Sequence, residues 1–157
     1  MNRITPFLWF NANAEEAVNF YLSVFKNSRI VDTTRHVEGG PGPTGSVMTI
    51  RFQLDGKEFV ALNGGPQFTF SEAISFVVNC DTQEEIDHFW ERLSAGGQTI
   101  ECGWLKDRFG VAWQVVPTVL WQMLQDKDAA RTGRVMTALW QMKKLDIAGL
   151  HKAYDQG

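Results

Sequence analysis

The 157-residue chain has a formal net charge of −3 and 44% apolar residues, including eleven Phe and six Trp. Its pI near 5.6 and its lack of a Lys/Arg block exclude a surface that follows nucleic-acid phosphates. No apolar run reaches membrane-spanning length, and no charged-then-apolar leader segment opens the chain. The chain is long enough for one domain, or for two small halves that share one core.

The first half of the chain begins with a strand and a helix. Residues 4–10 form a short apolar run whose bulky side chains are typical of a strand covered on both faces. Asn13 then provides an N-cap and Glu16 the partner of a capping box, and apolar residues at helical spacing continue to Phe25. We therefore expect a strand that leads directly into an amphipathic helix.

Three further strands complete this half. They are predicted at 29–37, 46–54 and 57–63. Asp55-Gly56 separates the last two strands and is a strong signal for a two-residue hairpin. Residues 38–45, rich in Gly and Pro, predict a long loop between the first two of these strands.

The second half repeats the same order of elements. Thr82 is expected to cap a helix with Glu85 as capping-box partner, and Gly96-Gly97 to end it. The predicted strands of this half are 73–80, 98–102, 104–105 and 111–116. Two strand–helix–three-strand units thus form a degenerate repeat of about 65 residues, visible in layout rather than in identity.

From residue 118 onward the pattern is helical. A first helix is expected at 119–124, a longer one after an Asp128 cap, and a last short one at 146–154. Amphipathic stripes rich in Met and Trp are typical of core packing. Packing on the chain's own sheet and packing on a second copy of the chain both remain open.

The two cysteines, Cys80 and Cys102, have neither a metal-binding nor a redox spacing. Both lie in predicted strands, where free thiols are usually interior. The pattern predicts two reduced thiols and a cytoplasmic protein.

Two strand–helix–three-strand units followed by an Asp-x-Phe-Gly-x-x-Trp strand resemble the vicinal oxygen chelate superfamily of glyoxalases, extradiol dioxygenases and bleomycin-resistance proteins. Within it the chain is most similar to the PhnB-like branch, often labelled 3-demethylubiquinone-9 3-methyltransferase. The likeness is carried by residues 19–21 with Phe25, 61–66, 102–110 and 113–114.

The resemblance implies an α+β fold in which two βαβββ units form an open half-barrel cleft, followed by C-terminal helices. It implies a vicinal oxygen chelate domain over 1–117, with units at about 4–66 and 73–117, and a helical extension over 118–157. Such chains commonly form homodimers and bind small molecules. Nothing in the sequence indicates a nucleic-acid or membrane partner.

Family enzymes hold a divalent metal with His or Glu side chains on the first and last strands of each unit. Carried over by strand position, these sites fall at Thr5, Ala61, about Ile74, and Gln114. A hydroxyl, a methyl, an alkyl group and a neutral amide are poor ligands for such an ion. The expectation is a cleft with no metal and no cofactor.

The methyltransferase label requires a cofactor site that the sequence does not support. A glycine-rich loop binds a nucleotide-like cofactor when a strand leads through it into a helix. The glycine-rich segments 38–45 and 63–66 are each followed by another strand. We therefore do not expect methyl transfer.

Strand alternation combined with the family alignment gives a set of cleft-facing residues, mostly aromatic or aliphatic with neutral hydrogen-bonding groups. The predicted ligand-binding residues are Thr5, Phe7, Trp9, Ala61, Asn63, Trp104 and Gln114. In contrast, Lys106, Asp107 and Arg108 are expected to form a solvated turn with local ion pairs.

The leading hypothesis is a cytoplasmic, dimeric protein that holds a small organic molecule in its cleft without metal and without turnover. A metal-dependent lyase or dioxygenase-type enzyme is the alternative, and a methyltransferase is the third possibility. The sequence identifies no catalytic residues.

Overall fold

The computed structural model describes residues 2–156 and has the predicted order of two strand–helix–three-strand units followed by helices. The chain divides into two compact units between Phe70 and Ser71, and each unit has its own four-stranded sheet. The boundary predicted between a domain over 1–117 and a helical extension over 118–157 stays a prediction. By their contacts, the helices after residue 117 group with the second compact unit. Among residues 2–156, none of the helices combines the length and apolar character needed to span a bilayer.

The first unit contains four strands and one helix. Its elements are β1 (Phe7–Phe10), α1 (Ala14–Val24), β2 (Ser28–Arg35), β3 (Val47–Leu54) and β4 (Lys57–Asn63). The strand order is β1-β4-β3-β2, with β1 parallel to β4 and the other pairs antiparallel. Asp55 (φ 49°) and Gly56 (φ 79°) form the predicted hairpin turn between β3 and β4, because that turn type needs positive φ at both positions.

Helix α1 covers one face of the first sheet. Tyr21 of the helix stacks on Phe52 of β3, which stacks on Phe59 of β4, with ring centroids 6.4 and 5.5 Å apart. All three rings are buried. Alternate strand residues point the other way, and we call that side the first open face. Its central residues are Phe7, Trp9, Asp32, Arg51, Glu58, Val60 and Leu62.

The N-terminus of α1 differs from the prediction. The Asn13 side chain makes no capping hydrogen bond. Instead, Asn63 at the end of β4 accepts a 2.8 Å hydrogen bond at Oδ1 from the backbone N–H of Ala14, and its Nδ2 donates to Glu15 at 2.8 Å. The predicted Asn13–Glu16 capping box is therefore wrong, and the cap comes from a residue distant in the sequence.

The second unit repeats this arrangement and adds helices. Its elements are β5 (Ser75–Cys80), α2 (Gln83–Ser94), β6 (Gln98–Thr99), β7 (Trp104–Lys106), β8 (Ala112–Pro117), α3 (Thr118–Leu124), α4 (Ala129–Trp140) and α5 (Ile147–Asp155). The strand order is β5-β8-β7-β6. The caps predicted at Thr82 and Asp128 are confirmed, since their side chains accept from the backbone N–H groups of Glu85 and Ala130 at 3.2 and 3.0 Å.

The C-terminal helices pack on the chain's own second sheet. Val116 of β8 belongs to the same buried cluster as apolar side chains from these helices and the segments between them. The other buried members are Leu120, Met123, Val135, Leu139, Leu145 and Leu150. Packing on the chain's own sheet, one of the two possibilities left open by the sequence, is therefore present, while Trp140 is 61% exposed.

A buried carboxylate closes the turn between β7 and β8. Asp107 is only 3% exposed. Its Oδ1 accepts hydrogen bonds from the backbone N–H groups of Phe109 and Val111 at 2.8 and 3.1 Å. The expectation of a solvated turn is therefore wrong for Asp107, although Arg108 beside it is exposed.

Candidate functional site

The first open face is apolar along β1 and β4. In the strand register Phe7 lies beside Val60, and Trp9 lies beside Leu62. Phe7 is 58% exposed, an unusual state for a large aromatic ring on a strand. This part of the sheet offers ring and methyl surface on which a planar molecule can lie.

Trp9 is held in one orientation by its neighbours. Its indole N–H donates to the carbonyl oxygen of Gly65 at 2.9 Å, and Phe68 makes an edge-to-face contact with the ring at a centroid distance of 4.9 Å. The indole also packs directly on Gly64, where an added Cβ would lie 2.4 Å from the ring atom Cε2. The ring is thus fixed in place by the chain that follows β4.

The central charged group of the first open face is the Arg51 guanidinium, which is shared by two carboxylates. Arg51 donates from Nε and Nη2 to Asp32, and from Nη1 to Glu58 at 3.2 Å. The hydrogen bond with Asp32, and to a lesser degree that with Glu58, raises the pKa of Arg51. Glu58 is only 7% exposed, so Arg51 provides the compensating charge that a buried carboxylate needs.

Two of the predicted ligand-binding residues do not face this side of the sheet. Ala61 is fully buried and pairs with Leu8 and Ile50 on the helix-covered side. Asn63 points the same way and caps α1. The sequence analysis assigned the wrong face to β4, whose open-face residues are Glu58, Val60 and Leu62. Thr5, a third predicted residue, is half-buried and precedes β1.

The second sheet also has a face that α2 does not cover, which we call the second open face. Its residues are Ser75, Val77 and Asn79 of β5, Trp104 and Lys106 of β7, and Ala112, Gln114 and Val116 of β8. Ala112 is buried, and Val116 is covered by the C-terminal helices. Val77, Gln114 and Trp104 form one row across three neighbouring strands. The predicted residues Gln114 and Trp104 therefore lie side by side.

Gln114 is bonded to a serine that the sequence analysis missed. Its Nε2 donates to Ser75 Oγ at 3.0 Å across the parallel pair β5 and β8. The bond leaves the amide oxygen of Gln114 as an acceptor and the hydroxyl proton of Ser75 as a donor. A ligand with one donor and one acceptor can bind both groups.

Two other polar contacts flank this pair. Lys106 Nζ lies 3.0 Å from Glu72 Oε1, and this hydrogen bond lowers the pKa of Glu72. Trp121 of α3 donates from its indole N–H to Asn79 Oδ1 at 2.9 Å. Neither Glu72 nor Trp121 has a periodic signal that assigns it to this face, because each lies outside the strands.

The donor groups on the two faces do not fit a divalent metal. On the first face, Asp32 and Glu58 are held by Arg51. On the second, Gln114 is bonded to Ser75. In the part of the chain that the structure describes, no three His, Cys, Asp or Glu side chains lie together as a possible metal-binding group. Transition metals need imidazole, thiolate or unengaged carboxylate ligands, which this set lacks.

Comparisons with known proteins identify the fold and the family. A family model described as 3-demethylubiquinone-9 3-methyltransferase matches residues 2–116. The solved structure of a putative 3-demethylubiquinone-9 3-methyltransferase, a PhnB protein from Bacillus cereus, is 40% identical over 74% of this chain and 100% of that chain, with a TM-score of 0.68. Protein PA1353 from Pseudomonas aeruginosa is 23% identical over 74% of this chain and 98% of that chain, with a TM-score of 0.62.

More distant likenesses extend only to the fold. The fosfomycin resistance protein FosX from Listeria monocytogenes, solved with Mn(II) and sulfate, is 13% identical over 73% of this chain and 87% of that chain, with a TM-score of 0.51. No curated protein sequence matches the chain.

Two mixed four-stranded sheets, each built as βαβββ with one open face, define a protein of the vicinal oxygen chelate superfamily with the glyoxalase/bleomycin-resistance fold. Within that superfamily the chain belongs to the 3-demethylubiquinone-9 3-methyltransferase family, which is PhnB-like. The superfamily, the branch and the fold class predicted from the sequence are confirmed.

Proposed function

We propose that this protein binds a small planar organic molecule on the second open face without using a metal. The observation that carries the proposal is the 3.0 Å hydrogen bond between Gln114 and Ser75. Family enzymes have a metal ligand at the strand position of Gln114. In this chain the position holds a neutral amide whose side chain is already engaged with a hydroxyl, a pair suited to ligand hydrogen bonding.

The aromatic residues support a planar ligand. Trp104 lies beside Gln114 on the second open face and provides ring surface there. On the first unit, Trp9 with Phe7 and Phe68 near it provides a comparable ring surface. Small-molecule sites typically combine such apolar surface with a few hydrogen-bonding groups. The protein would hold its ligand without turnover, as resistance-type members of the superfamily hold theirs. A homodimer and a cytoplasmic location are part of the same proposal.

A metal-dependent lyase or dioxygenase-type enzyme is the second candidate, because Glu58 is a carboxylate on the open side of β4. The sequence analysis assigned Ala61 to the metal-ligand position on this strand and so missed it. For Glu58 to bind a metal, it would have to give up its 3.2 Å contact with Arg51. A metal would replace that cation, but among the described residues no three His, Cys, Asp or Glu side chains lie together to bind it, so this candidate ranks below a metal-free site.

The methyl transfer in the family's name is the third candidate. The glycine-rich loop after β2 leads into β3, and Gly64-Gly65 leads into a segment without a helix before β5. Neither segment presents a helix N-terminus to a cofactor, the arrangement by which glycine-rich loops bind nucleotide-like groups. Among the described residues, neither glycine-rich segment therefore provides the cofactor-binding arrangement that methyl transfer would need.

The test combines elemental analysis with ligand titration. The purified protein is dialysed against trace Zn, Mn, Fe and Ni, and its metal content is measured beside Gln114→Ala and a surface control, Gln125→Ala. We expect no stoichiometric metal in any of the three proteins. We also expect a saturable change in Trp fluorescence when an uncharged aromatic probe such as 2-naphthamide is added, with no product by mass spectrometry.

Near-stoichiometric metal that disappears in Gln114→Ala and persists in Gln125→Ala would overturn the metal-free proposal. Conversion of the probe would favour an enzyme, and heat on titrating S-adenosylmethionine would favour the methyltransferase. Absence of any fluorescence response would contradict the proposed planar ligand.

A further inference from the structure

We propose that Lys106 is the specificity-determining residue of the second open face, and that it selects a planar ligand carrying a carboxylate group. In the free protein Lys106 forms an ion pair with Glu72, and the ligand carboxylate would replace Glu72 in that pair. The inference rests on the proposed function, because it names the class of ligand that the same face would take.

Lys106 has the position that this role requires. It pairs with Ala112 of β8, and Ala112 pairs with Ser75 of β5, so the three lie in one row across the sheet. The adjacent row contains Gln114 and Trp104. Only the small methyl group of Ala112 separates the lysine from the serine. Ala112 itself is only 1% exposed, so a ring would lie over the adjacent row, where Val77 is 38% exposed, and would have the ammonium and the Ser75 hydroxyl along one edge.

Lys106 is the only Lys or Arg on the four strands of the second sheet. The first open face is a weaker binding site for an anion, because its central cation, Arg51, is already shared by two carboxylates. Arg29 also faces that side, opposite Gln53, but it lies on the edge strand away from Trp9. A carboxylate-bearing ligand is therefore expected to place its charge at the second sheet.

The ion pair between Lys106 and Glu72 can be exchanged at low cost. The two side chains are 30% and 49% exposed, and ion pairs of that exposure contribute little to stability. Glu72 lies before β5 in a turn rather than in the sheet. A ligand carboxylate presents the same group to Lys106, so the lysine loses no partner, while the ligand's ring gains contact with Trp104.

The experiment compares two probes that differ only in charge, 2-naphthoate and 2-naphthamide. Each is titrated into the wild-type protein, Lys106→Gln and Glu72→Gln, with the exposed-site variants Lys127→Gln and Glu84→Gln as matched controls. For naphthoate we expect about fivefold weaker binding to Lys106→Gln and about threefold tighter binding to Glu72→Gln, the range given by one exposed charge pair. The affinity of naphthamide for every variant, and the affinity of naphthoate for the two control variants, should stay within about 1.5-fold of the wild-type values on the same grounds.

A purely structural ion pair would give a different pattern. Both Lys106→Gln and Glu72→Gln would then shift the affinities of the two probes equally, which would overturn the inference. If Lys106→Gln does not fold, naphthoate binding to the wild-type protein must weaken between low and high salt while naphthamide binding does not. Equal salt dependence would also reject the role of Lys106.

Failure of the inference and failure of the proposed function have separate signatures. If both probes bind with equal affinity in every variant, carboxylate selection is wrong and a planar-ligand site stands. If neither probe binds, the proposed function fails and the inference fails with it.

Discussion

The indole N–H of Trp113 donates a 2.8 Å hydrogen bond to Oδ2 of Asp107, and both side chains are buried. The other oxygen of the same carboxylate holds the turn that precedes β8. The Asp-x-Phe-Gly-x-x-Trp motif therefore has a structural role: it joins the turn between β7 and β8 to the buried side of β8. Because neighbouring residues on a strand face opposite sides, fixing Trp113 on the helix-covered side fixes Gln114 on the open side.

Asp107→Asn should lower the free energy of unfolding by about 2–3 kcal/mol, because an amide nitrogen in place of Oδ2 leaves the buried indole N–H without an acceptor. Urea unfolding followed by circular dichroism measures the change. Glu101→Gln is the control, since Glu101 is exposed and its Lys143 partner is 4.0 Å away; its effect should stay below about 0.5 kcal/mol. Equal effects of the two substitutions would contradict the anchoring role of Asp107.

Asn63 and Asn13 allow a direct comparison of a real and an apparent helix cap. Asn63→Ala removes the acceptor of the Ala14 N–H and should cost about 1 kcal/mol of unfolding free energy. Asn13→Ala should cost less than about half of that, because the Asn13 side chain makes no capping bond. Thermal or urea unfolding of both variants tests the pair. A larger loss for Asn13→Ala would restore the local capping box predicted from the sequence.

The turns and helix caps show which features can be predicted from the sequence alone. The order of elements, the hairpin at Asp55-Gly56 and the caps at Thr82 and Asp128 depend on residues close together in the chain, and all were predictable. The Asn63 cap was not, because 49 positions separate it from Ala14. Capping by a distant residue follows from the packing of the helix on the sheet.

The main error at the site was the choice of which β4 residues face away from helix α1. Both of its faces carry apolar residues, so alternation within the strand does not decide which side the helix covers. The hairpin register does decide it, because Phe52 lies opposite Phe59 and Arg51 lies diagonal to Glu58. Applying that register would have found Glu58 from the sequence. Glu72 and Trp121 were beyond such reasoning, since only tertiary packing brings them to the second open face.

The two thiols should react very differently. Burial, together with the nearby carboxylates of Glu85 and Asp81, raises the pKa of Cys80 to about 12. Cys102 is only half-buried. In the folded protein at pH 8, iodoacetamide should therefore modify Cys102 and leave Cys80 unmodified, as measured by peptide mass spectrometry. Unfolding in urea should make both available, and equal labelling rates in the folded protein would contradict the burial of Cys80.

The Cys80 thiol also predicts the sign of a pH effect on stability. Its folded-state pKa lies above the value of about 8.5 for an exposed thiol, so the folded state holds this proton more tightly. The contribution is fully present below pH 8.5 and is lost as pH rises towards 12, where the unfolded thiol is already ionised. Cys80→Ala should flatten this alkaline loss of unfolding free energy, and an unchanged slope would contradict it.

Gly64→Ala should disturb the ring surface of the first open face. A Cβ at this position would lie 2.4 Å from Cε2 of Trp9, so the indole must move and its 2.9 Å bond to Gly65 must stretch or break. We expect a loss of about 1–3 kcal/mol in unfolding free energy, typical of overpacking, and a shifted Trp9 indole N–H resonance.

Gly133→Ala is the matched control, because Gly133 lies in α4 and a Cβ there would meet nothing within 4 Å. It should stabilise the protein by about 0.5–1 kcal/mol, the helix preference of Ala over Gly, and leave probe binding unchanged. The two glycines thus predict opposite signs for the same chemical change. A Gly64→Ala variant as stable as wild type, with an unmoved Trp9 resonance, would show that the contact with Gly64 does not fix the ring.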